Sequence, residues 1–348
     1  MPGLLSEPTF KHITIKDLHP TFVAEIQGVD FSRPVEPDVF SEIQTALAKV
    51  RSHFPTFPTF FPSNTIVICL TSAQYGVCVF RATGLDDTRH VEFSRLFGEL
   101  DDIRPYLTGG RKAKFPYLEL FDAGNTDDKG DVIGVDSQRA HYNQGNGLWH
   151  VDSSFNPRRA SYSLLLAHSI PPPGTGGSTF FADTRTAYDT LPSSLKSDLE
   201  TNDYIAAHSL FHSRKLGSPI YFSDLDPLAH KMTRHKILQT HEPSGRKNLY
   251  IARHAHHIEG VSEEKSEEFL EVLIAWATRG DLVCEVHWEQ EGDLVVWDNT
   301  CVMHRASGGS FEGRFKRDMR RTTVHDGSST AWGLNGREEF KQGFAMTS

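Results

Sequence analysis

From residue 147 onward the chain breaks into short apolar or β-branched runs, each bounded by Gly, Pro or polar turn residues. The runs are SYSLLLAHSI (161–170), GSTFFAD (177–183), KNLYIAR (247–253), DLVCEVHW (281–288), GDLVVWDN (292–299) and RDMRRTTVHD (317–326). Many short strands with turn signals between them predict a β-sandwich or barrel. Helices interrupt the pattern at about 184–202 and 261–279, where TAYDTLPSSLKSDLE and SEEKSEEFLEVLIAWATRG carry capping and amphipathic signals. The opening differs in texture. Strands are expected at HITIKDL (12–18) and YGVCVFRA (75–82), with helices at 38–49 and 86–100 framing the second. In the first helix Val39, Ile43, Ala46 and Leu47 recur at helical spacing behind Asp38 as expected N-cap; the second ends near Gly98. The expected class is α+β, mainly β, and 348 residues fit one domain, 1–348.

One stretch fits no element. VRSHFPTFPTFFPSNTIVICLTSAQ (50–74) follows a helix without a stop signal and crowds prolines and phenylalanines together. Deleting it leaves ALAKYGVCVFRA, a helix end running straight into a strand. Val50 is compatible with a codon starting GT, Gln74 with CAG, and Leu70-Thr71 with a branch-site-like CTAAC. Two readings follow: a translated, retained intron, or a genuine surface insertion.

A net charge of −9 speaks against nucleic acid or an anionic membrane surface as partner. No apolar run is long enough to span a bilayer, and the N-terminal residues lack a secretory pattern, so the cytoplasm is the expected compartment. Cys69, Cys78, Cys284 and Cys301 have no C-x-x-C spacing and read as reduced core thiols. A small-molecule ligand is the expected partner, with a homo-oligomer left open.

The chemistry concentrates in three places. In LWHVDSSF (148–155), His150 and Asp152 lie two apart, which in a strand turns both to one face and Val151 to the other. A third ligand has to come from elsewhere, and His304, directly after GDLVVWDN, is placed to supply it. Two His and one carboxylate suit a non-haem Fe(II) site, with zinc as the competing choice. An H-x-D pair alone is more often two polar residues beside a core. Its company matters: Arg317 and Arg321, four apart in GRFKRDMRRTTV (313–324), share a face, while Arg320 points away if the segment is a strand. Guanidiniums directed inward require anions, and carboxylates accept them bidentately. Thr179, opening the strand after GTGGS, offers a hydroxyl to such a carboxylate.

Taken together, LWHVDSSF, GGSTFFADTRTAYDTLP, SGRKNLYIARHAHHIEG, GDLVVWDNTCVMHR and RDMRRTTV resemble the Fe(II)- and 2-oxoglutarate-dependent taurine/2,4-dichlorophenoxyacetate dioxygenase family, nearer the 2,4-dichlorophenoxyacetate type. The resemblance covers most of the chain outside 50–74. It implies a double-stranded β-helix (jelly-roll, cupin-like) core with flanking helices. It also implies Fe(II) ligands His150, Asp152 and His304, with Thr179 and Arg317 at the 2-oxoglutarate carboxylate remote from iron. Arg321 matches a position that meets either the co-substrate or an anionic primary substrate. Asn146 matches a substrate-side position, and Trp149 is expected on the cavity wall. The implied reaction consumes O2 and 2-oxoglutarate, hydroxylates a C–H bond of a small anionic substrate, and releases succinate and CO2, with ether or C–S cleavage as the alternative outcome.

The chain departs from the family pattern in the 50–74 insertion and in a slightly longer 307–313 segment. The rivals from other classes are a zinc hydrolase using the same three ligands and a silent binding barrel. The HAHH run (254–257) is a further candidate metal site, with polar residues in a strand-loop segment near the active-site entrance as the favoured reading.

Overall fold

Leu294–Asp298, Val77–Phe80 and Leu164–Leu166 are apolar at nearly every position because the sheet that holds them is covered on both faces. The computed structural model describes residues 10–48, 51–53, 71–73, 75–107, 112–339, 341 and 343. Its first part runs β1 (Thr14–His19), β2 (Val23–Gln27), α1 (Pro37–Ala48), β3 (Arg51–His53), β4 (Thr71–Ala73), β5 (Val77–Phe80), α2 (Asp87–Arg95), β6 (Phe121–Asp122) and α3 (Gln138–Gln144). The middle runs β7 (Ala160–Ser169), β8 (Thr179–Asp183), α4 (Thr184–Thr190), α5 (Ser193–Asn202), β9 (Ile205–His208), α6 (Leu210–Gly217), β10 (Thr233–Lys236) and β11 (Leu238–His241). The last part runs β12 (Arg246–Leu249), β13 (Ala255–Ile258), α7 (Glu263–Ala277), β14 (Val283–Val286), β15 (Leu294–Asp298), β16 (Val302–Ala306) and β17 (Asp318–His325).

The large sheet has the order β1-β2-β5-β15-β7-β17-β6, antiparallel except for the β2–β5 pair. On its outer face Cys78, Phe80, Leu164, Leu166, Leu294 and Val296 pack under Ile43 and Leu47 of α1 and Phe93 of α2. On its inner face the intervening residues Val77, Val79, Leu165, Val295 and Trp297 meet Phe181, Val286 and Val302 of the smaller β14-β8-β16 sheet. Residues two apart share a face, so the register of each strand sends alternate apolar side chains to two cores. Each fully buried side chain of this kind is worth about 1.5–3 kcal/mol. Ala182 and Met303 turn the other way, into a third cluster with Leu199 of α5 and Leu270, Leu273 and Ile274 of α7. The molecule is therefore a mixed α/β structure of several sheets, two of them face to face.

Two helix boundaries differ from the sequence reading. Asp38 is not the cap of α1: Pro37 occupies the first helical position, where its missing N–H costs nothing, and Asp38 lies in the first turn. The single helix expected over 184–202 is two, because Pro192 holds Leu191 in extended backbone (φ −56, ψ 147) between α4 and α5. Asp86 does cap α2, accepting from Arg89 N at 2.9 Å.

Strands β3 and β4 pair antiparallel, Arg51 opposite Ala73, so residues 50–74 leave and re-enter the fold at one place. The remainder of that stretch, including Cys69, lies outside the described residues. No helix among the described residues is long and apolar enough to cross a membrane.

Candidate metal centre

The site lies at the mouth between the two facing sheets and begins with an isolated antiparallel bridge. His150 N donates to His304 O at 2.9 Å and His304 N to His150 O at 2.8 Å. This pairing sets two imidazoles side by side, with ring centroids 4.2 Å apart. His150 Nδ1 lies 2.6 Å from Leu148 O. As the donor there, it leaves the Nε2 lone pair free on the side of the cavity. His304 sits in the middle of β16, its ring against Trp297 (4.7 Å) and Phe181 (6.2 Å).

Asp152 is brought in by a turn, not by the strand that the two-residue spacing suggested. Residues 152–155 form turns, and Ser153 takes φ 57. Val151 turns away as expected, into the cluster behind β16. Three groups fix this residue, one at its backbone and two at its carboxylate. Asn299 Oδ1 accepts from Asp152 N at 3.0 Å, Ser163 Oγ donates to Oδ2 at 2.7 Å, and Arg321 Nη1 donates to Oδ1 at 2.5 Å. Asn299 is itself held by Trp297 Nε1 at 3.0 Å, and its Nδ2 donates to Ser163 Oγ at 2.9 Å. Asp152 Oδ1 is 4.0 Å from His150 Nε2, and Oδ2 is 3.8 Å from His304 Nε2. Donors sharing one ion at roughly 2.0–2.2 Å lie about 3–3.5 Å apart, so a small inward movement closes the set.

The charge states suit a cation. Burial pushes His150 down to about 4, against the opposing pull of Asp152, and holds His304 well below its ordinary range. Both rings are therefore neutral near pH 7 and able to donate a lone pair. Burial alone would raise Asp152, but Arg321 foremost, then the imidazoles and Ser163, overcome it and keep the carboxyl below its usual range. The set of two neutral imidazoles and one carboxylate is that of a facial triad.

Two cavities flank the triad and share Ala123, Asn143 and Asn146. The first reaches His150, Asp152 and Arg321 and is walled by Tyr106, Phe115, Phe121 and Phe155. The second has a mixed lining, Ile133, Val135 and Phe311 beside Asn125, Gln144 and Glu312, and includes Arg317. That guanidinium is 8% exposed, donates to Ala123 O (3.1 Å) and Gly177 O (3.3 Å), and has no ion pair among the described residues. Burial lowers it to about 10, partly offset by Glu312, so it remains charged. Its backbone runs so close to Gly124 that a Cβ there would stand 2.5 Å from Arg317 O. Thr179 is buried nearby on β8, two residues from Gly177, with its hydroxyl accepting from Trp288 Nε1 at 3.3 Å.

The structure thus brings His150, Asp152 and His304 together, places Arg321 on the first cavity and Arg317 on the second, and sets Asn146 on both. Arg320 turns away to Asp87 and Asp318, as expected. Trp149 does not line the cavity. Alternation along the bridge turns it from His150 toward the α7 cluster, where Arg305 lies over its ring at 5.3 Å. Within HAHH, His254 is not at the entrance but 1% exposed behind His150, ring centroids 5.5 Å apart. Sequence reasoning missed Ser163, Asn299 and Arg214. The first two carry no motif, and Arg214 sits in a short helix, α6, whose pattern is too brief to read.

A second donor cluster, His241, Asp298 and Cys301, is equally compact, with ligand atoms within 4.8 Å of one another. Its lone pairs are already used. His241 Nε2 and Asp298 Oδ2 are 2.9 Å apart, Asp298 Oδ1 accepts from Thr300 N (2.9 Å) and Oγ1 (2.6 Å), and His241 Nδ1 meets Ser244 Oγ (2.7 Å). It braces the turn between β15 and β16.

Residues 69–323 match the family model described as "Taurine catabolism dioxygenase TauD, TfdA family". Two curated relatives are alpha-ketoglutarate-dependent 2,4-dichlorophenoxyacetate dioxygenases. That of Burkholderia sp. (strain RASC) is 33% identical over 313 residues, 88% of this chain and 92% of that protein. That of Cupriavidus pinatubonensis is 32% identical over 320 residues, 90% and 98% respectively. Among solved structures, AAD-2 in complex with Mn(II) and N-oxalylglycine superposes with a TM-score of 0.77 at 31% identity, covering 90% of this chain and 98% of that one.

Proposed function

Because this chain belongs to the taurine catabolism dioxygenase TauD, TfdA family, we propose that His150, Asp152 and His304 hold its Fe(II) and that Arg317 with Thr179 holds the distal carboxylate of 2-oxoglutarate. The enzyme is an Fe(II)- and 2-oxoglutarate-dependent dioxygenase. Its core reads as a double-stranded β-helix within a single domain. Bound iron and 2-oxoglutarate supply O2 activation and C–H oxidation, with succinate and CO2 as co-products.

The protein's share is position, charge and exclusion of water. Arg321 keeps Asp152 ionised, while Ser163 and Asn299 fix its orientation. The Arg317 guanidinium waits in the recess with neutral carbonyls as its only hydrogen-bond partners among the described residues, an arrangement that a carboxylate completes. The aromatic wall around Tyr106 and Phe155 keeps the reacting carbon out of bulk water. The primary substrate is a small anion with an apolar body, an aryloxyacetate-like acid by analogy with the relatives. The reduced, buried thiols of Cys78, Cys284 and Cys301 suit the cytoplasm.

The observation that carries this reading is the joint presence of an open His-Asp-His triad and a buried guanidinium without an ion pair in the adjoining recess. Anaerobic addition of Fe(II) and 2-oxoglutarate is expected to give the weak visible charge-transfer band of the chelate. Absence of the band in wild type, or its full persistence in Asp152→Ala, would overturn the assignment.

A further inference from the structure

One buried cation of the metal-facing cavity is without an anion among the described residues; Lys112, which also lines it, is exposed. Lys114 and Arg139 share Asp122 (2.8 and 2.6 Å), and Arg321 is committed to Asp152. Arg214 is 5% exposed and lines the same cavity as His150 and Asp152. Its Nη1 donates to two neutral oxygens, Tyr142 O at 2.7 Å and Asn146 Oδ1 at 3.0 Å. Its Nε has no partner, and it forms no ion pair among the described residues.

The fold takes care to put it there. α6 approaches the 145–147 turn so closely that a Cβ on Gly145 would stand 2.4 Å from Arg214 Nη1, and one on Gly217 would stand 2.6 Å from Gly145 N. Only paired glycines allow that approach. The guanidinium then lies over the Tyr142 ring, its carbon 4.1 Å from the centroid, and its Nη1 bonds to Tyr142 O and Asn146 Oδ1 direct it. A charge held in this way, away from water and without an opposite charge, is costly unless a ligand completes it. Burial lowers the group's pKa, as expected for an uncompensated cation, but an arginine remains protonated.

We infer that Arg214, not Arg321, anchors the acidic group of the primary substrate, and that this substrate is a monoanion whose apolar or aromatic body lies against Tyr106, Phe115, Phe121 and Phe155. Arg321 is already neutralised by a metal ligand, whereas Arg214 offers a planar fork that carboxylates and sulfonates fit. Asn146 positions the fork through its side-chain oxygen, which gives that residue a substrate-side role without direct contact. The inference rests on the dioxygenase reading only for what happens to the substrate once bound.

The test uses the full-length protein loaded with Mn(II) and 2-oxoglutarate, and calorimetric titration with three acids and their amides: phenoxyacetate, hexanoate and hexanesulfonate. Wild type is expected to bind at least one acid about tenfold or more tightly over its amide. Arg214→Gln is expected to erase that preference while leaving amide binding within about twofold, and Arg214→Lys to restore part of it. The 2-oxoglutarate affinity should be unchanged in both. If the Gln variant fails to fold, the Lys variant decides, because losing the bidentate fork should still weaken the acid selectively. No acid preference in wild type, or equal loss of acid and amide in either variant, overturns the inference. Failure of the dioxygenase reading shows separately, as absence of the Fe(II)–2-oxoglutarate band in wild type.

Discussion

The His150–Asp152–His304 and His241–Asp298–Cys301 clusters offer similar donors, equally buried and equally close, yet only one is built to bind. In the second, each carboxylate oxygen and both imidazole nitrogens already have protein partners. In the first, His150 Nε2 faces a cavity, His304 Nδ1 has no partner, and the remaining bonds to Asp152 orient it without closing the space between the donors. Proximity of ligand types is therefore a weak criterion, and unfilled lone pairs directed at a cavity are the stronger one. The arginines at 317 and 321 repeat the lesson, since Arg321 is paired and Arg317 has no ion pair among the described residues.

The comparison breaks if the two carboxylates behave alike. Asp152→Ala should lower Mn(II) affinity by more than about a hundredfold, read by electron paramagnetic resonance, and should also cost stability because it strands Arg321 and Ser163. Asp298→Ala should cost about 3–5 kcal/mol in urea unfolding because it too strands buried partners, while folded molecules keep their metal affinity. Equal effects on metal binding would erase the distinction between an open site and a brace.

Arg317→Met sharpens it at the co-substrate. It should raise the 2-oxoglutarate Kd about a hundredfold, the scale of a charge-assisted bidentate contact of roughly 1.5–3 kcal/mol. The cofactor-free protein should be no less stable, and its melting temperature should rise if anything, because a buried unpaired charge has been removed. A variant that loses both stability and affinity would mark Arg317 as a structural residue.

Much of this was legible in the sequence, and the part that was not has a common cause. The apolar runs of β5, β7 and β15 announced themselves as strands because a residue buried on either face is apolar. His150, His304, Arg317 and Arg321 stood out because their residue types are unusual in such runs. What stayed hidden was tertiary. The turn that delivers Asp152 depends on Ser153 in the left-handed region, and the division of labour between Arg214, Arg317 and Arg321 depends on which anions lie beside each. The short strands β9, β10 and β13 carry buried His208 and His235 and partly buried His256 and His257, so their polar letters masked their burial.

Those buried histidines give a smaller effect of definite sign. Burial lowers His90 and His208 to about 3 and His150 to about 4, so the unfolded chain binds protons at a higher pH than the native one does. Stability from this source is complete above about 6.5, the ordinary histidine value, and declines as pH falls through that value toward 4 and then 3. Urea midpoints of the metal-free protein should be level between pH 7 and 8 and fall between pH 6.5 and 5. His208 contributes to the slope without touching the triad, so His208→Gln should reduce the slope and leave Mn(II) affinity at pH 7 unchanged. A loss of metal affinity in that variant would extend the open site beyond its three donors.

The smallest effect is expected from the largest change in sequence. We propose that residues 50–74 are a retained intron, and that removing them leaves both clusters as they are. Arg51 pairs with Ala73, so the excised stretch begins and ends at one point. Strand β5 is held without it, through Val77 N donating to Phe22 O at 3.0 Å, the Tyr75 hydroxyl bonded to Asp17, and its ladder with β15. No residue of either donor cluster comes from the segment. Shortening a connection whose ends meet changes closure entropy only by tenths of a kcal/mol to about 1 kcal/mol, so the deleted protein should melt within about 4 °C of the full chain and bind Mn(II) with equal affinity. A collapse of folding on deletion, or a mature transcript encoding all 25 residues, would instead make the segment a genuine insertion.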